Sequence, residues 1–383
     1  MRAAFFNLAA RHGVLGLVLV AMERALGRDA LSRDPWAQLA PELRRIRKRT
    51  AVLQLERDYV LSILATEGIT AVVLKGAGLA STVFREPAER EYGDMDLLVT
   101  PAQLDSAVAV LGNRGYVNLN AAAIQGYRAH HFHIRIQRPG ATIVELHWNL
   151  THKTEPFRLD PAAFRSRSVE VQPARARPSS APATTLPLRV PSAEDALLHI
   201  VVEVLRGSFS RIKWLVDLDR IIATAPSMDW SYVLSAARTG ASLLPVSLSL
   251  GLCRQMLGTT IPAAVRLQLR PSAATRLHLA LLRPRDLVMR QRTVLRASSA
   301  DVLRLWLLAG RSRAAWMMKL LTPSADDPLQ WMWNDLSEET SVPSTFVQRA
   351  GRVVKLLADQ GGTYVNGAGA LFSRAGREGL RLW

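Results

Sequence analysis

Asp94-Met95-Asp96 is the segment whose residue types and spacing can do chemistry. On an extended strand, alternation sends both carboxylates to one face, with Cα atoms about 6.6 Å apart, and Met95 to the other. Carboxylates side by side repel, so the pair calls for a cation. All-oxygen ligation suits Mg²⁺ or Mn²⁺. Two such ions, about 3.5–4 Å apart, clamp the attacking and leaving oxygens of an in-line phosphoryl displacement. A third carboxylate lies in Val144-Glu145-Leu146-His147-Trp148, where Glu145 and His147 share a face. A glutamate centred in an apolar strand is costly unless it is paired or metal-bound. If this strand lies beside that of Asp94, then Asp94, Asp96 and Glu145 converge as candidate catalytic and metal-binding groups.

A phosphate-binding half is available upstream, at Lys75-Gly76-Ala77-Gly78. Backbone N–H groups opening a helix there can hold triphosphate oxygens, aided by the helix dipole. Gly76 would admit close approach of backbone to phosphate. Lys75 adds a cation, and Arg90, four residues before Asp94, is placed to fork onto phosphate oxygens. His147 is a candidate for orienting the acceptor or acting as a base. His130, His131 and His133 raise the question of zinc. No cysteine or further histidine completes a tetrahedral set in the sequence, so a zinc site there is not expected. Each motif alone has a plain alternative: two solvated acids at a strand end, or a turn glycine. Their order and spacing favour chemistry.

The elements that must position these groups are legible from patterning. Pro41–Glu67 carries apolar residues at helical spacing and is stopped by Gly68. Ile69–Leu74 reads as a buried strand. The glycine turn then leads into a short helix, and Asp94–Val99 is a second strand. Thr100-Pro101 caps a helix over Ala102–Arg114. His131–Gln137 alternates, Arg138-Pro139-Gly140 is a hairpin turn, and Thr142–Trp148 is the return strand. Residues 1–164 are expected to form one domain. Residues 165–191, rich in Pro, Ser and Arg, read as a linker in which Val169–Val171 and Leu188–Val190 could be short strands. Residues 192–383 are helical in pattern, with a tail from about Gly361 that lacks a core pattern.

The 383-residue chain has 49 Lys+Arg against 32 Asp+Glu, a formal charge of +17. Hydrophobic content of 49% with 21% charged residues is a globular balance and excludes wholesale disorder. A single cysteine, Cys253, excludes an internal disulfide and thiolate metal clusters, and fits a reducing compartment. The N-terminal apolar run, Gly13–Met22, is too short for a membrane span and is preceded by Arg11 and His12. A cytoplasmic location is expected. The basic excess suits an anionic partner. Only six of the cations are lysines (Lys48, Lys75, Lys153, Lys213, Lys319 and Lys355), and codon bias explains an arginine surplus equally well. Basic helices over Leu279–Arg296 and Val302–Leu321 read as solvated faces, with peripheral docking on an acidic membrane as the alternative.

LKGAGLASTVFREPAEREYGDMDLLV resembles the signature of a bacterial, largely uncharacterised nucleotidyltransferase family within the polymerase-beta-like superfamily. Lys75, Gly76, Arg90, Asp94 and Asp96 match its pattern, and VELHW resembles its acidic strand at Glu145 and His147. The superfamily's usual Gly-Ser is absent, since Ala77 follows Gly76. Arg11-His12-Gly13 resembles the family's opening helix, and PSAEDALLHI with Trp214-Leu215-x-Asp217 resembles the opening of its second domain. The resemblance implies an α+β fold: a polymerase-beta-like nucleotidyltransferase domain, with a small mixed sheet flanked by helices, followed by an all-helical domain. It also implies an NTP and a divalent metal. An unknown small-molecule, peptide or glycan acceptor, met in a bacterial biosynthetic pathway, is the favoured expectation. RNA is a less favoured acceptor, since no aromatic-basic stacking run is present, and a non-catalytic interaction protein is the third reading. His199 and Asp217, on apolar helical patterns, are read first as core groups and second as acceptor-side groups.

Overall fold

The computed structural model describes residues 2–27, 29, 36–118, 131–151, 157–173, 187–206, 211–240 and 242–270. Expectations for His130, for the helices beyond residue 278 and for the C-terminal tail lie outside these. The described residues divide into two compact units. The first draws on Met1–Lys153, Leu159–Ile200 and Arg211–Val233; the second on Thr154–Arg158, Val201–Ser210 and Leu234–Trp383.

The first unit is built on a five-stranded mixed sheet. Its strands are β1 (Val72–Val73), β2 (Asp94–Leu98), β3 (Val117–Asn118), β4 (His133–Gln137) and β5 (Ile143–His147), in the spatial order β1-β2-β5-β4-β3. β2 and β5 run parallel, and every other neighbouring pair is antiparallel. Alternation gives the sheet two unlike faces. Met95, Leu97, Ile134, Ile136, Val144 and Leu146 enter the main core with residues of the long helix α3 (Leu39–Thr66) and of α5 (Leu104–Gly112). The opposite face carries the polar side chains. The β1 strand is shorter than the Ile69–Leu74 run predicts, because β1 pairs only with Leu97 and Leu98.

Local signals set the element ends. The helix α3 stops in a Schellman turn: Gly68 adopts φ +66°, Ile69 N–H donates to the Leu64 carbonyl at 3.1 Å, and Gly68 N–H donates to the Ala65 carbonyl at 3.0 Å. Thr100 and Gln103 form a capping box over a 3₁₀ turn (Pro101–Gln103) that leads into α5. The expected N-terminal helix is two helices, α1 (Arg2–Arg11) and α2 (Leu15–Leu26), because Gly13 takes φ +68° between them. They pack as a second apolar cluster with the start of α3, around Leu19, Val20, Leu43 and Ile46. The helix α4 (Lys75–Thr82) follows β1 directly.

A short helix α6 (Pro161–Ser166) precedes the hairpin β6 (Val169–Val171) and β7 (Leu188–Val190), so both short strands expected in the linker form and pair. Among the described residues after 191 every element is a helix. These are α7 (Ala193–Arg206), α8 (Ile212–Thr224), α9 (Trp230–Thr239), α10 (Leu243–Leu257) and α11 (Ala263–Gln268). In the second unit α10 is buried on most of its surface, Cys253 included, and ends at Gly258 in the left-handed conformation. The chain is α+β, with a small mixed sheet flanked by helices.

Candidate active site

The parallel pairing of β2 with β5 puts Asp96 directly beside Glu145. The antiparallel pairing of β5 with β4 then puts Arg135 beside Glu145, and His133 beside His147 in the next row. One row across three strands therefore reads Asp96, Glu145, Arg135, with Asp94 two residues before Asp96 on the same face. Asp94 stands at the exposed end of β2, while Asp96 is buried. The three carboxylates that the sequence singles out are thus brought together.

Their electrostatics differ. Among the described residues Asp94 has no ion-pair partner, and its pKa is raised, first by desolvation and then by the like charges of Asp96 and Glu145. Burial alone would raise Asp96 too. Lys75 Nζ lies 3.0 Å from its Oδ1, and His147 Nε2 lies 2.9 Å from the same oxygen. These outweigh burial and hold the Asp96 carboxyl well below its ordinary range. Burial likewise opposes ionisation of Glu145, but the contact with His147 Nε2 at 3.5 Å lowers its pKa overall. Three carboxylates on one face, one open and two with lowered pKa, are a hard-oxygen donor set that a divalent cation fits.

Lys75 has φ +45°, the only non-glycine positive value among the described residues. Such backbone costs on the order of 1–3 kcal/mol and persists where surroundings fix it. Gly76 has a packing reason as well as the expected phosphate one: a Cβ there would meet Tyr92 Cβ at 2.6 Å. Arg90 is placed differently from the expectation. Its fork is taken by Asp217, with Nε and Nη2 donating to Oδ1 and Oδ2 at 2.6 and 2.8 Å, and Nη1 donating to the Glu91 carbonyl at 2.6 Å. A buried guanidinium needs that carboxylate, so Arg90 and Asp217 meet each other and not an open phosphate edge.

The sequence reading missed Lys213. It lies one helical turn before Asp217 on α8, within electrostatic reach of Asp94 and Arg90. Burial and then Arg90 pull its pKa down to about 8. The i, i+4 spacing from Asp217 on a helix was the available signal. The Arg11-His12-Gly13 segment holds this helix. Ile212 N–H donates to His12 Nδ1 at 3.4 Å and Lys213 N–H donates to the His12 carbonyl at 3.2 Å, which satisfies donors opening α8. A Cβ on Gly13 would meet Lys213 Cδ at 2.8 Å. His12 thus ties the start of α8 to the first helices.

His133, Glu145 and His147 offer ligand atoms that all lie within 4.8 Å of one another. Adjacent histidines in the sequence do not show this grouping, which forms only across the β4–β5 pairing. Burial and the neighbouring His147 lower the His133 pKa to about 4, so its ring is neutral near pH 7. His199 is buried elsewhere, edge-on to Phe164 at 5.8 Å. It lines a mainly apolar cavity of about 150 Å³ with Lys75, Val73, Val190 and Ile221.

A family model described as an uncharacterised nucleotidyltransferase matches residues 2–258. The chain belongs to this family. The match covers α1 through α10, including every residue of the carboxylate face, and bears out the resemblance carried by Lys75, Gly76, Arg90, Asp94, Asp96, Glu145 and His147. Membership makes nucleotidyl transfer the general activity and a nucleotide the general substrate. No curated protein matches the chain. Among the described residues no helix is long and apolar enough to cross a membrane.

Proposed function

We propose that this protein transfers an NMP group from an NTP to a non-nucleic-acid acceptor at the face formed by Asp94, Asp96 and Glu145, with Mg²⁺ or Mn²⁺. The observation that carries the reading is the parallel register of β2 and β5, which aligns Asp96 with Glu145. When bound, the divalent ions would supply charge neutralisation at the α-phosphate and at the oxygens entering and leaving it. The chain's own residues do the rest. Asp94 and Asp96 would hold the ions from one strand and Glu145 from the next, with the sheet fixing their spacing. Lys75 and the N–H groups opening α4 take the triphosphate. Lys75, with Nζ 3.0 Å from Asp96 Oδ1, stands at the edge of the carboxylate face, where it would meet a phosphate oxygen. Arg90 acts as a positioning residue through Asp217, and Lys213 adds positive charge beside Asp94.

His147 Nε2, 2.9 Å from Asp96 and 3.5 Å from Glu145, can orient the acceptor hydroxyl or accept its proton as pyrophosphate leaves. In this reading residues 1–164 are the catalytic domain and 165–191 the connection. The helices from 192 onward contribute Lys213 and Asp217, and His199 stands on the acceptor side through its cavity. The work is carried out in the cytoplasm of a bacterium. The test is to incubate the full chain with Mg²⁺, each α-labelled NTP and small-molecule, peptide and glycan fractions. Label should move to an acceptor with wild type and drop at least about 100-fold with Asp94→Asn. Equal labelling by both proteins, or label passing only to RNA, would sink this reading.

A further inference from the structure

We propose that His133, Glu145 and His147 form a binding site for one divalent transition-metal ion of the zinc class, beside the Asp94–Asp96 pair. The site shares Glu145 and His147 with the proposed transfer centre, and an ion on His147 Nε2 would replace the proton-accepting role given to that atom there. It stands on the two histidines, however, and does not depend on nucleotidyl transfer being the reaction.

Placement comes first. His133 and His147 are register partners across the β4–β5 hairpin, and Glu145 lies two residues before His147 on the same face. All three side chains therefore come from paired strands, which hold ligands more firmly than loops do. Glu145 Oε2 lies 3.5 Å from His147 Nε2 and 3.8 Å from His133 Nε2. Donor atoms around a tetrahedral ion with bonds of about 2.0–2.2 Å stand roughly 3.4 Å from each other. The two separations from Glu145 need only a few tenths of an ångström of closure, and the histidine donors, which lie within 4.8 Å of each other, must approach by up to about 1.4 Å. All these separations are at or beyond the limit for good hydrogen bonds, so without an ion the three groups sit close and bond each other poorly.

Donor chemistry points the same way. Imidazole nitrogen is a ligand for Zn²⁺, Co²⁺, Fe²⁺ and Ni²⁺, while Mg²⁺ prefers an all-oxygen shell. Two imidazoles and one carboxylate with a further position open is a donor set of catalytic zinc sites. The surroundings fix the rings. His133 and His147 stand with centroids 4.9 Å apart, and Phe132 packs edge-on to His133 at 4.8 Å. Among the described residues the buried Nδ1 atoms of both rings have no hydrogen-bond partner, which leaves Nε2 as the atom each directs at Glu145. His147 Nε2 can carry one proton, yet it faces both Asp96 and Glu145. An ion on Nε2 resolves that conflict and leaves Asp96 to Lys75 and to a cation shared with Asp94. Arg135 Nε stands on the other side of the carboxylate, 3.7 Å from Glu145 Oε1.

The test uses Co²⁺ as the probe on the full chain freed of metal by a chelator. Titration in excess Mg²⁺ should give one equivalent of Co²⁺ with the intense visible bands of a four-coordinate ion. Zn²⁺ should bleach them, and about a hundredfold excess of Mg²⁺ should not. His133→Ala should weaken Co²⁺ binding by at least about tenfold. Asp94→Asn should leave the spectrum and affinity within about twofold, whatever it does to NTP binding. X-ray absorption on the wild-type Zn²⁺ form should count two imidazole ligands, which keeps the proposal testable if His133→Ala does not fold. A pale six-coordinate spectrum displaced by Mg²⁺, an affinity unchanged in His133→Ala, equal loss in Asp94→Asn, or fewer than two imidazoles would each overturn it. Loss of NTP binding in Asp94→Asn with Co²⁺ binding intact separates this site from the transfer reading.

Discussion

Asp217→Ala should destabilise the protein severely, because it strands the Arg90 guanidinium. The side chains are 5% and 0% exposed, and the fork is bidentate at 2.6 and 2.8 Å. Arginine does not shed its proton to escape burial. With the carboxylate gone, Nε and Nη2 lose these acceptors, and among the described residues the Nη1 bond to the Glu91 carbonyl is what remains. Breaking one partner of such a pair costs about 3–5 kcal/mol. At roughly 2–4 °C per kcal/mol for a unit of this size, Tm should fall by about 6–20 °C in a calorimetric or circular-dichroism melt. Removing both charges should behave differently. Arg90→Met with Asp217→Leu leaves no orphaned charge, and it should recover to within about 1–2 kcal/mol of wild type. A melt of Asp217→Ala within about 1 kcal/mol of wild type would refute the reasoning. So would a double variant no better than the single one.

Two further outcomes follow from local geometry and charge. Gly76→Ala forces a methyl to within 2.6 Å of Tyr92 Cβ, so it should cost about 1–3 kcal/mol in urea unfolding; an unchanged midpoint would contradict that packing. His133 has its folded pKa lowered to about 4, so between its ordinary pKa of about 6.5 and pH 4 the unfolded chain binds the extra proton. Stability should therefore be fully present above about pH 6.5 and fall as the pH drops towards 4, by on the order of 2–3 kcal/mol. Melts of chelator-treated protein should show this slope, and His133→Gln should flatten it.

The elements carrying the carboxylates were legible because their signals are local. Alternation in Met95, Leu97 and Val144, Leu146 put the acids on one face, and Gly68 and Thr100 marked helix ends by backbone chemistry. What stayed hidden depended on which strand neighbours which. The hairpin turn at Arg138–Gly140 was readable, and carrying its register outward pairs His133 with His147. The sequence reading instead sought the missing zinc ligands among adjacent histidines. Asp217 was seen as a helix residue, but its partner Arg90 is 127 positions away, and no periodicity reports such a contact. Lys213 was missed for the same reason: its meaning comes from α8 docking on His12, a long-range event.

The central claim is that Asp94, Asp96 and Glu145 hold a divalent ion on which an NTP binds. Equilibrium binding of each NTP to the full chain, with and without Mg²⁺, tests it most directly. The account predicts Mg²⁺-dependent binding of at least one NTP, lost by about 100-fold or more in Asp96→Asn, whose buried carboxylate lies between Lys75 and His147. NTP binding that is indifferent to Mg²⁺, or that survives in a folded Asp96→Asn protein, would contradict it.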